Sequence, residues 1–391
     1  MRKILYAVFL FGCCASLLSG CIKEKYTVPS EKGDALVQLN IGTRAVEETD
    51  GIPTNNETVL HSLRVYAFVD GQPAGHFYTK DGLDVNNPSF LMHLTMYSTM
   101  TQKVDFYVVA NEAAMETPGS SVLLTENTTE TQLNHFTFTK LNTSKGLPMF
   151  CKQTETIDLT QLSDKTPADP GHAGHTLLRQ DLTFELKRPI GKLGVFAAKP
   201  VGENSSLRVT GLTVLASGTR TRNYLMPQTD ETLKAITGIT GDISLEVVEE
   251  EVTKTLAENA SQTDKENPAN YTPVLNESFY LFENPWGSTS WDVKGDNDGN
   301  VLRVDYEFDG NARSGFVYMP PIERNKYYTV CCLMHNDGKI TVEYKVADWN
   351  KENYNITFDY PSYDNPITPA DGSSVPEDGQ YSQPTIWYNN D

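Results

Sequence analysis

The residues of this 391-residue chain that are best placed for chemistry are cysteines, and Cys21 is the most informative of them. It follows Ser19-Gly20, two small residues at the end of an apolar run. Basic residues precede that run, which is too short to span a bilayer as a helix and is typical of an export signal. We predict a signal peptide over residues 1–20 and lipidation of the Cys21 thiol, which would attach the chain to a membrane. The alternative is an ordinary signal peptide with a chance cysteine.

The other cysteines and the histidines indicate no reaction. Of six cysteines, only Cys151, Cys331 and Cys332 remain beyond residue 21, too few for a disulfide framework. Cys331 and Cys332 are neighbours on a predicted strand, with Cα atoms ~3.8 Å apart, so we interpret them as small strand hydrophobes. His172 and His175 are separated by Ala-Gly, which disfavours a helix and hence a metal site.

Motifs of known catalytic mechanism do not occur. The sequence contains no Gly-x-Ser-x-Gly, no His-Glu-x-x-His and no glycine-rich phosphate loop. We therefore predict that the protein is not an enzyme and has no catalytic residues, no metal and no cofactor.

A second signal lies around Arg44, which sits in a polar stretch that a trypsin-like or arginine-specific protease could reach. Cutting after Arg44 would make Ala45 the new N-terminus. Just before it, Val37, Leu39 and Ile41 alternate with polar residues, which predicts a half-buried strand. We expect residues 21–44 to be a propeptide whose strand leaves with the lipid. The alternative is that Arg44 is an ordinary solvated loop residue.

Charge excludes one class of partner. Removing residues 1–44 takes away six of the 32 Lys and Arg and three of the 51 Asp and Glu, leaving 26 against 48, a net charge of −22. Such a charge argues against nucleic acid, or any anionic surface, as the partner. The remaining length is enough for two domains.

The elements that must position these residues are mostly strands. Alternating patterns rich in β-branched and aromatic residues, with turn signals such as Asp70-Gly71 and Asp309-Gly310 between them, predict a mainly β fold of two β-sandwiches with few short helices. The predicted strands are residues 59–69, 90–97, 104–110, 182–186, 193–198, 207–215, 279–282, 301–308, 315–319, 327–334 and 340–346. Residues 230–236 are predicted to be a helix, and residues 249–259 either a helix or a solvated face. Residues 164–174 and 259–271 are predicted to be long loops.

We place a domain boundary just before Leu182, which gives an N-terminal domain over 45–181 and a C-terminal domain over 182–350. Pro189 is expected to break two strands apart. A tail over 351–391 follows, longer than a domain needs to close. It contains two strand-like segments separated by a Pro-rich spacer. The apolar residues of the segments are Tyr354, Ile356 and Phe358 in the first, and Ile386, Trp387 and Tyr388 in the second.

Several stretches together carry a family resemblance: residues 63–71, 106–111, 147–149, 188–192, 325–330 and 346–349, with the sequence around Cys21 and Thr43-Arg44-Ala45. In them the chain resembles the FimA-like major fimbrial subunits (fimbrillins) of Bacteroidales type V pili. The resemblance implies two transthyretin-like, Greek-key sandwich domains, lipoprotein export to the cell outer membrane, maturation after Arg44 and polymerisation into a fimbrium by donor-strand exchange. It also implies other pilus subunits as partners, including anchor and tip proteins, and a host protein or glycan as an adhesion target.

The tail would supply the donor strand of that mechanism. Its terminal segment is the better choice, because the first segment can instead be the last strand of its own domain. Two other functions stay open: a pilus anchor that keeps its lipid or a tip adhesin, and a surface lipoprotein that binds glycans. Trp286, Trp291 and Trp349 are the aromatic residues that we consider for stacking on sugars.

Overall fold

The computed structural model of the chain describes residues 33–42, 57, 59–80, 89–96, 101–117, 124–158, 176–177, 182, 184–248, 250–287, 299–336, 340–349 and 352–357. Within these residues the fold is mainly β, as predicted. The strands of the first half are β1 Gly33–Gly42, β2 Leu63–Val69, β3 Gln72–Thr79, β4 Ser89–Met96, β5 Thr101–Ala110, β6 Met115–Glu116, β7 Thr137–Phe138, β8 Lys140–Leu141, β9 Met149–Asp158, β10 Thr176–Leu177 and β11 Phe184–Leu186.

The remaining strands follow a short break at Pro189, where the sequence predicts one. They are β12 Gly191–Pro200, β13 Leu207–Val214, β14 Asn223–Tyr224, β15 Ile243–Leu245, β16 Thr255–Leu256, β17 Thr272–Pro273, β18 Phe279–Leu281, β19 Asn300–Phe308, β20 Asn311–Met319, β21 Lys326–Met334, β22 Ile340–Asp348 and β23 Glu352–Thr357.

Helices are few and short in the described part of the chain: α1 Glu130–Asn134, α2 Asp230–Lys234 and α3 Gln262–Lys265, with 3₁₀ turns at Glu112–Ala114, Thr143–Lys145, Ala216–Gly218 and Pro268–Asn270. The first of them, α1, begins with a capping box formed by Thr129 and Gln132. The prediction of a loop over 259–271 is wrong, because Ser261 accepts a hydrogen bond from the Asp264 backbone and so begins α3. Residues 250–259 contain β16 and no helix.

A four-stranded and a five-stranded sheet form the first sandwich. One has the order β3-β2-β5-β9, and the other contains β4, β1, β23 and β11, with β10 also paired to β1. The side chains between the sheets form the first core, which includes Val65, Phe106, Met149 and Phe184. Four of the strands in the second sheet are far apart in sequence, so the first sandwich gathers segments from both ends of the chain.

The central strand β5 is buried on both of its faces. Phe106 and Val108 point into the first core, whereas Tyr107 and Val109, which alternate with them, pack in a separate cluster on the outer face. Because successive side chains of a strand point to opposite faces, a nearly continuous apolar run is what such a strand needs.

The second sandwich is built in the same way. One sheet has the order β16-β12-β21-β22, with β17 and β18 also paired to β12, and the other has the order β15-β13-β19-β20. Cys332 lies in the core between the sheets and Cys331 lies on the opposite face. The interpretation of this pair as strand hydrophobes is confirmed, since both are buried free thiols.

Two of the predicted tight turns are present. Asp70 and Gly71 have φ values of 49° and 76°, and Asp309 and Gly310 have 49° and 74°. Two consecutive residues with positive φ define the type I′ turn, whose twist matches that of the strands it joins. These turns fix the β2–β3 and β19–β20 hairpins.

A third apolar cluster joins the two sandwiches. It combines Tyr66, Phe68 and Tyr107 of the first sandwich with residues of the second half, among them Leu225 and Trp349. Phe138 meets Phe282 edge-on at 5.3 Å between ring centroids, and β7 pairs with β14 across the same junction.

The change from one core to the other does not fall at the predicted boundary. Leu182, Phe184 and Leu186 pack in the first core, and Leu193 is the first of the following residues to pack in the second. Residues 182–186 therefore close the first sandwich instead of opening the second. The packing favours a boundary between Leu186 and Leu193.

Candidate functional site

The strand β1, which the sequence places in the propeptide, lies in the middle of a sheet. Along one edge it pairs antiparallel with β4 over eight positions, from Gly33 opposite Met96 to Asn40 opposite Ser89. Along the other edge it pairs with β10 at Ala35 and Leu36 and with β23 at its C-terminal end. A segment that is predicted to be removed thus joins strands that otherwise do not pair with each other.

The strands next to β1 carry buried apolar side chains. Met92 and Leu94 of β4 are completely buried in the first core. On the other side of β1, Phe184 of β11 meets Phe106 edge-on, with 5.5 Å between the ring centroids. The register sets Val37 opposite Met92.

The first tail segment lies beside β1 in the same chain. Ile356 is opposite Ile41, and Tyr354 is opposite Phe184 of β11. The segment therefore bridges β1 and β11, in the first sandwich. In the described part of the chain its pairing partners all belong to the first sandwich, so the segment forms a strand of its own chain without extending a sheet of the second sandwich.

The other predicted site residues are distributed as follows. Val37, Leu39 and Ile41 fall in β1, and Tyr354 and Ile356 fall in β23. The predicted lipidation, cleavage and terminal donor positions lie outside the described residues, as do His172, His175 and Trp291: these positions are Cys21, Arg44, Ala45, Phe358, Ile386, Trp387 and Tyr388.

A buried cluster of polar side chains around Glu57 was not predicted. The Glu57 carboxylate lies 3.2 Å from Lys192 Nζ, accepts a hydrogen bond of 2.8 Å from the Tyr280 hydroxyl and accepts another of 3.3 Å from Trp349 Nε1. The side chains of Glu57 and Lys192 are only 5% and 4% exposed. The backbone carbonyl of Glu57 also accepts a hydrogen bond of 2.9 Å from Arg188.

Aromatic rings enclose this cluster. The Tyr280 and Trp349 rings stack with 5.6 Å between centroids and 11° between planes. The Arg188 guanidinium lies over the Trp349 ring at 4.4 Å, and Lys192 lies 4.7 Å from the centre of the Tyr327 ring. Burial, with a smaller contribution from the Glu57 charge, raises the pKa of Tyr280, so its hydroxyl stays a donor.

Asn325 fastens the chain segments around the cluster. It has a φ of 55°, in the left-handed region that asparagine tolerates better than most residues. Its backbone and side chain make four hydrogen bonds: two with the 188–190 segment, from Arg188 N and to the Ile190 carbonyl, and two with Trp349. No local pattern marks Glu57, since Lys192, Tyr280 and Trp349 are 135, 223 and 292 residues away from it in sequence.

The described residues offer no arrangement typical of a metal centre or a membrane span. They contain no group of three or more His, Cys, Asp or Glu side chains that could hold a metal ion. No helix among them is long and apolar enough to cross a membrane. Burial raises the pKa of the Cys151 thiol to about 11 and that of Cys331 to about 12, so neither is a ready nucleophile.

The tryptophan prediction needs a correction. Trp349 is 4% exposed and its ring is covered by Tyr280 and Arg188. It serves the junction between the sandwiches and cannot stack on a sugar. Trp286 is half-buried, with Lys234 Nζ 5.3 Å from its ring centre.

Comparison with known proteins gives fold-level likeness only. No family model matches the chain, and no curated protein sequence matches it. Solved structures that resemble it include the tip fimbrial protein Mfa3 from Porphyromonas gingivalis, at 15% identity and a TM-score of 0.45, over 82% of this chain and 100% of that one.

Two further examples have related descriptions. A fimbrilin from Porphyromonas gingivalis W83 matches at 11% identity and a TM-score of 0.44, over 82% of this chain and 98% of that one. A fimbrial assembly protein from Parabacteroides distasonis matches at 13% identity and a TM-score of 0.42, over 83% and 99%. The structural neighbours are thus fimbrial proteins, but likeness at this level carries no argument about function, which has to come from the chain itself.

Proposed function

We propose that the chain is a structural subunit of a cell-surface fimbria. In this proposal it is exported as a lipoprotein through Cys21, matured by cleavage after Arg44 and polymerised by donor-strand exchange, and the fibre supports adhesion. The observation that carries the proposal is the position of β1, a strand that precedes Arg44 by two residues and lies at the centre of a sheet.

Cleavage after Arg44 would leave β1 held only by non-covalent contacts. Its departure would strip β4 of the eight-position pairing described above and would leave the facing edge of β23 open. Unpaired strand edges over an apolar core are a template for another strand. Met92 and Leu94 would then lose the strand beside them, and a replacement strand would cover them again.

The replacement strand is proposed to come from the tail of another copy. Because Tyr354 and Ile356 are already engaged beside β1 in their own chain, we assign the donor role to Ile386, Trp387 and Tyr388. A tail that enters the groove of a neighbour is a head-to-tail contact, which grows open filaments. The partners are then other pilus subunits, and the location is first the outer membrane and later the fimbrium.

Limited trypsin digestion of the lipidated precursor tests the proposal. We expect one early cut that yields Ala45 as the N-terminus, followed by ladders that survive SDS. Arg44→Gln should remove both the cut and the ladders. Arg208→Gln, which changes an exposed arginine of the second sandwich, should behave like the unchanged protein.

Truncation tests the donor assignment separately. Removing residues 381–391 should abolish the ladders while leaving thermal unfolding unchanged. Ladders that persist in the truncated protein would show that the donor lies elsewhere in the tail. A precursor that keeps its lipid after exposure to trypsin would instead favour an anchor.

A further inference from the structure

Arg220 is a buried cation whose partners are all uncharged. It is 8% exposed and donates hydrogen bonds to the Ser217 and Thr219 carbonyls and, at 2.7 Å, to Asn284 Oδ1. Its Nε–H has no acceptor. The guanidinium carries five N–H donors, and three acceptors receive hydrogen bonds from it. Burial lowers the pKa of Arg220, and no acidic neighbour offsets this effect.

Three other buried cations of the protein are paired with carboxylates. Arg64 pairs with Glu112 at 2.6 Å, Lys192 pairs with Glu57 at 3.2 Å, and Arg324 pairs with Glu283. In the part of the chain that the structure describes, Arg220 forms no such ion pair. Burying a charge is costly unless an opposite charge is close, so an uncompensated guanidinium in a chain of net charge −19 is unusual.

Arg220 lines a cleft of about 670 Å³ at the junction of the two sandwiches. This volume is in the range of small-molecule sites, which often occur between domains. One wall comes from the first sandwich, at residues 139–144, and the other comes from β18 and the 218–220 segment. The charged side chains at its rim, Lys140 and Glu277, are exposed and of opposite sign.

The lining of the cleft combines hydroxyls with aromatic rings. Hydroxyl groups act as both donors and acceptors and match those of a sugar, while aromatic faces pack against its apolar side. An extended peptide would instead need a free strand edge or an apolar groove. Four of the lining hydroxyls already donate their hydrogen within the protein and offer a ligand only acceptor lone pairs: Thr139, Ser144, Thr219 and Thr240. Ser278 Oγ is buried and has no partner among the described residues, and the phenylalanines of the lining are Phe279 and Phe282.

We propose that this cleft binds an acidic saccharide, with Arg220 as the side chain that pairs with the carboxylate of the sugar. A carboxylate supplies the charge that the described surroundings of Arg220 lack, and guanidinium and carboxylate form short, directional hydrogen bonds. The cleft shares no lining residue with β1, β4 or β23. The site is therefore independent of fimbrial assembly, and either proposal can fail without the other.

Isothermal titration of the full chain with trigalacturonate tests the site. Maltotriose serves as the neutral sugar of equal length, and acetate and triglutamate serve as carboxylates without a sugar. We expect saturable binding of trigalacturonate only. Arg220→Met should weaken it by about ten- to hundredfold, as expected for a lost hydrogen bond to a charged group. Arg222→Met removes an exposed arginine two residues away and should leave binding unchanged.

Hydrogen exchange in the unchanged protein locates the site without any substitution. Trigalacturonate should protect peptides that cover 139–144, 216–221 and 277–282. Equal binding of maltotriose, preferred binding of triglutamate or acetate, or protection elsewhere would each overturn the proposal. An Arg220→Met variant that fails to fold leaves the titration and the exchange experiment decisive.

Discussion

Replacing Glu57 with glutamine should destabilise the junction between the two sandwiches. Glutamine keeps the shape of the side chain but removes the charge that compensates Lys192. Its amide nitrogen, a donor, replaces one of the two carboxylate oxygens, so either Tyr280 or Trp349 loses its acceptor. Removing one partner of a buried ion pair costs about 3–5 kcal/mol. A typical domain has a total stability of about 5–15 kcal/mol, so this loss is a large fraction.

A double-mutant cycle separates the ion pair from general disruption. Lys192→Met alone should also be costly, because it leaves the Glu57 carboxylate buried beside Tyr280 and Trp349 without its cation. The double variant removes both charges, so its loss should be smaller than the sum of the single losses, by about 1–3 kcal/mol. Urea unfolding, followed by tryptophan fluorescence to which Trp349 of the cluster contributes, measures each free energy of unfolding.

The control is a partly exposed ion pair in the second sandwich. Glu251 lies 3.6 Å from Lys199, and their side chains are 50% and 11% exposed. Because Lys199 keeps its hydrogen bond to the Ser205 carbonyl, Glu251→Gln should cost only about 1 kcal/mol. A Glu57→Gln variant that loses no more than this control would refute the reasoning. Strictly additive losses in the cycle would refute it as well.

Three further predictions concern the first core and the thiols. Burial and the Arg64 guanidinium lower the pKa of His76 to about 3. The His76 imidazole of the unfolded chain takes up a proton below about pH 6.5, whereas that of the folded chain stays neutral, so the free energy of unfolding should fall by about 2 kcal/mol between pH 7 and pH 5. Urea titrations of His76→Gln should show a smaller fall over the same pH range. Met92→Ala, at a completely buried position, should cost about 2–5 kcal/mol in urea unfolding, and a loss near zero would place Met92 outside the core. Cys331, whose pKa burial raises to about 12, and Cys332 should react with an aromatic disulfide reagent at pH 8 in urea but not in the native protein.

Several strands were predictable because their signal is local, whereas β3 and β9 are absent from the predicted strands. Period-two alternation marks β2, β5, β19 and β21 in the sequence, and the structure forms each of them within a few residues of the predicted limits. The Asp-Gly turns were predictable for the same reason. The α3 helix was missed because its four residues are too few to show the i, i+3, i+4, i+7 spacing of apolar residues that marks an amphipathic helix.

Pairing over long sequence distances could not be predicted. The alternation in residues 33–42 indicates a strand, but nothing in that pattern says that its neighbours are β4 and β23. Likewise, Glu57 is a single acid whose partners come from three other segments of the chain, and Asn325 is an ordinary polar residue until its φ and hydrogen bonds are known. Sequence reasoning finds such residues only where a local motif accompanies them, and here none does.

The arrangement of β1 and Glu57 explains how one cut could open the first sandwich without loosening the junction. Arg44 lies between β1, which ends at Gly42, and Glu57, which is held by Lys192, Tyr280 and Trp349. Cleavage would free β1 on the N-terminal side of the cut, while Glu57 on the C-terminal side would stay bound to its buried partners. The Glu57 carboxylate contacts Trp349, which directly precedes the tail. The new N-terminal segment and the start of the tail would therefore be tied to one buried cluster. In a fibre joined through tails, this cluster would carry tension between the two sandwiches, which is why its loss should be felt in assembly as well as in stability.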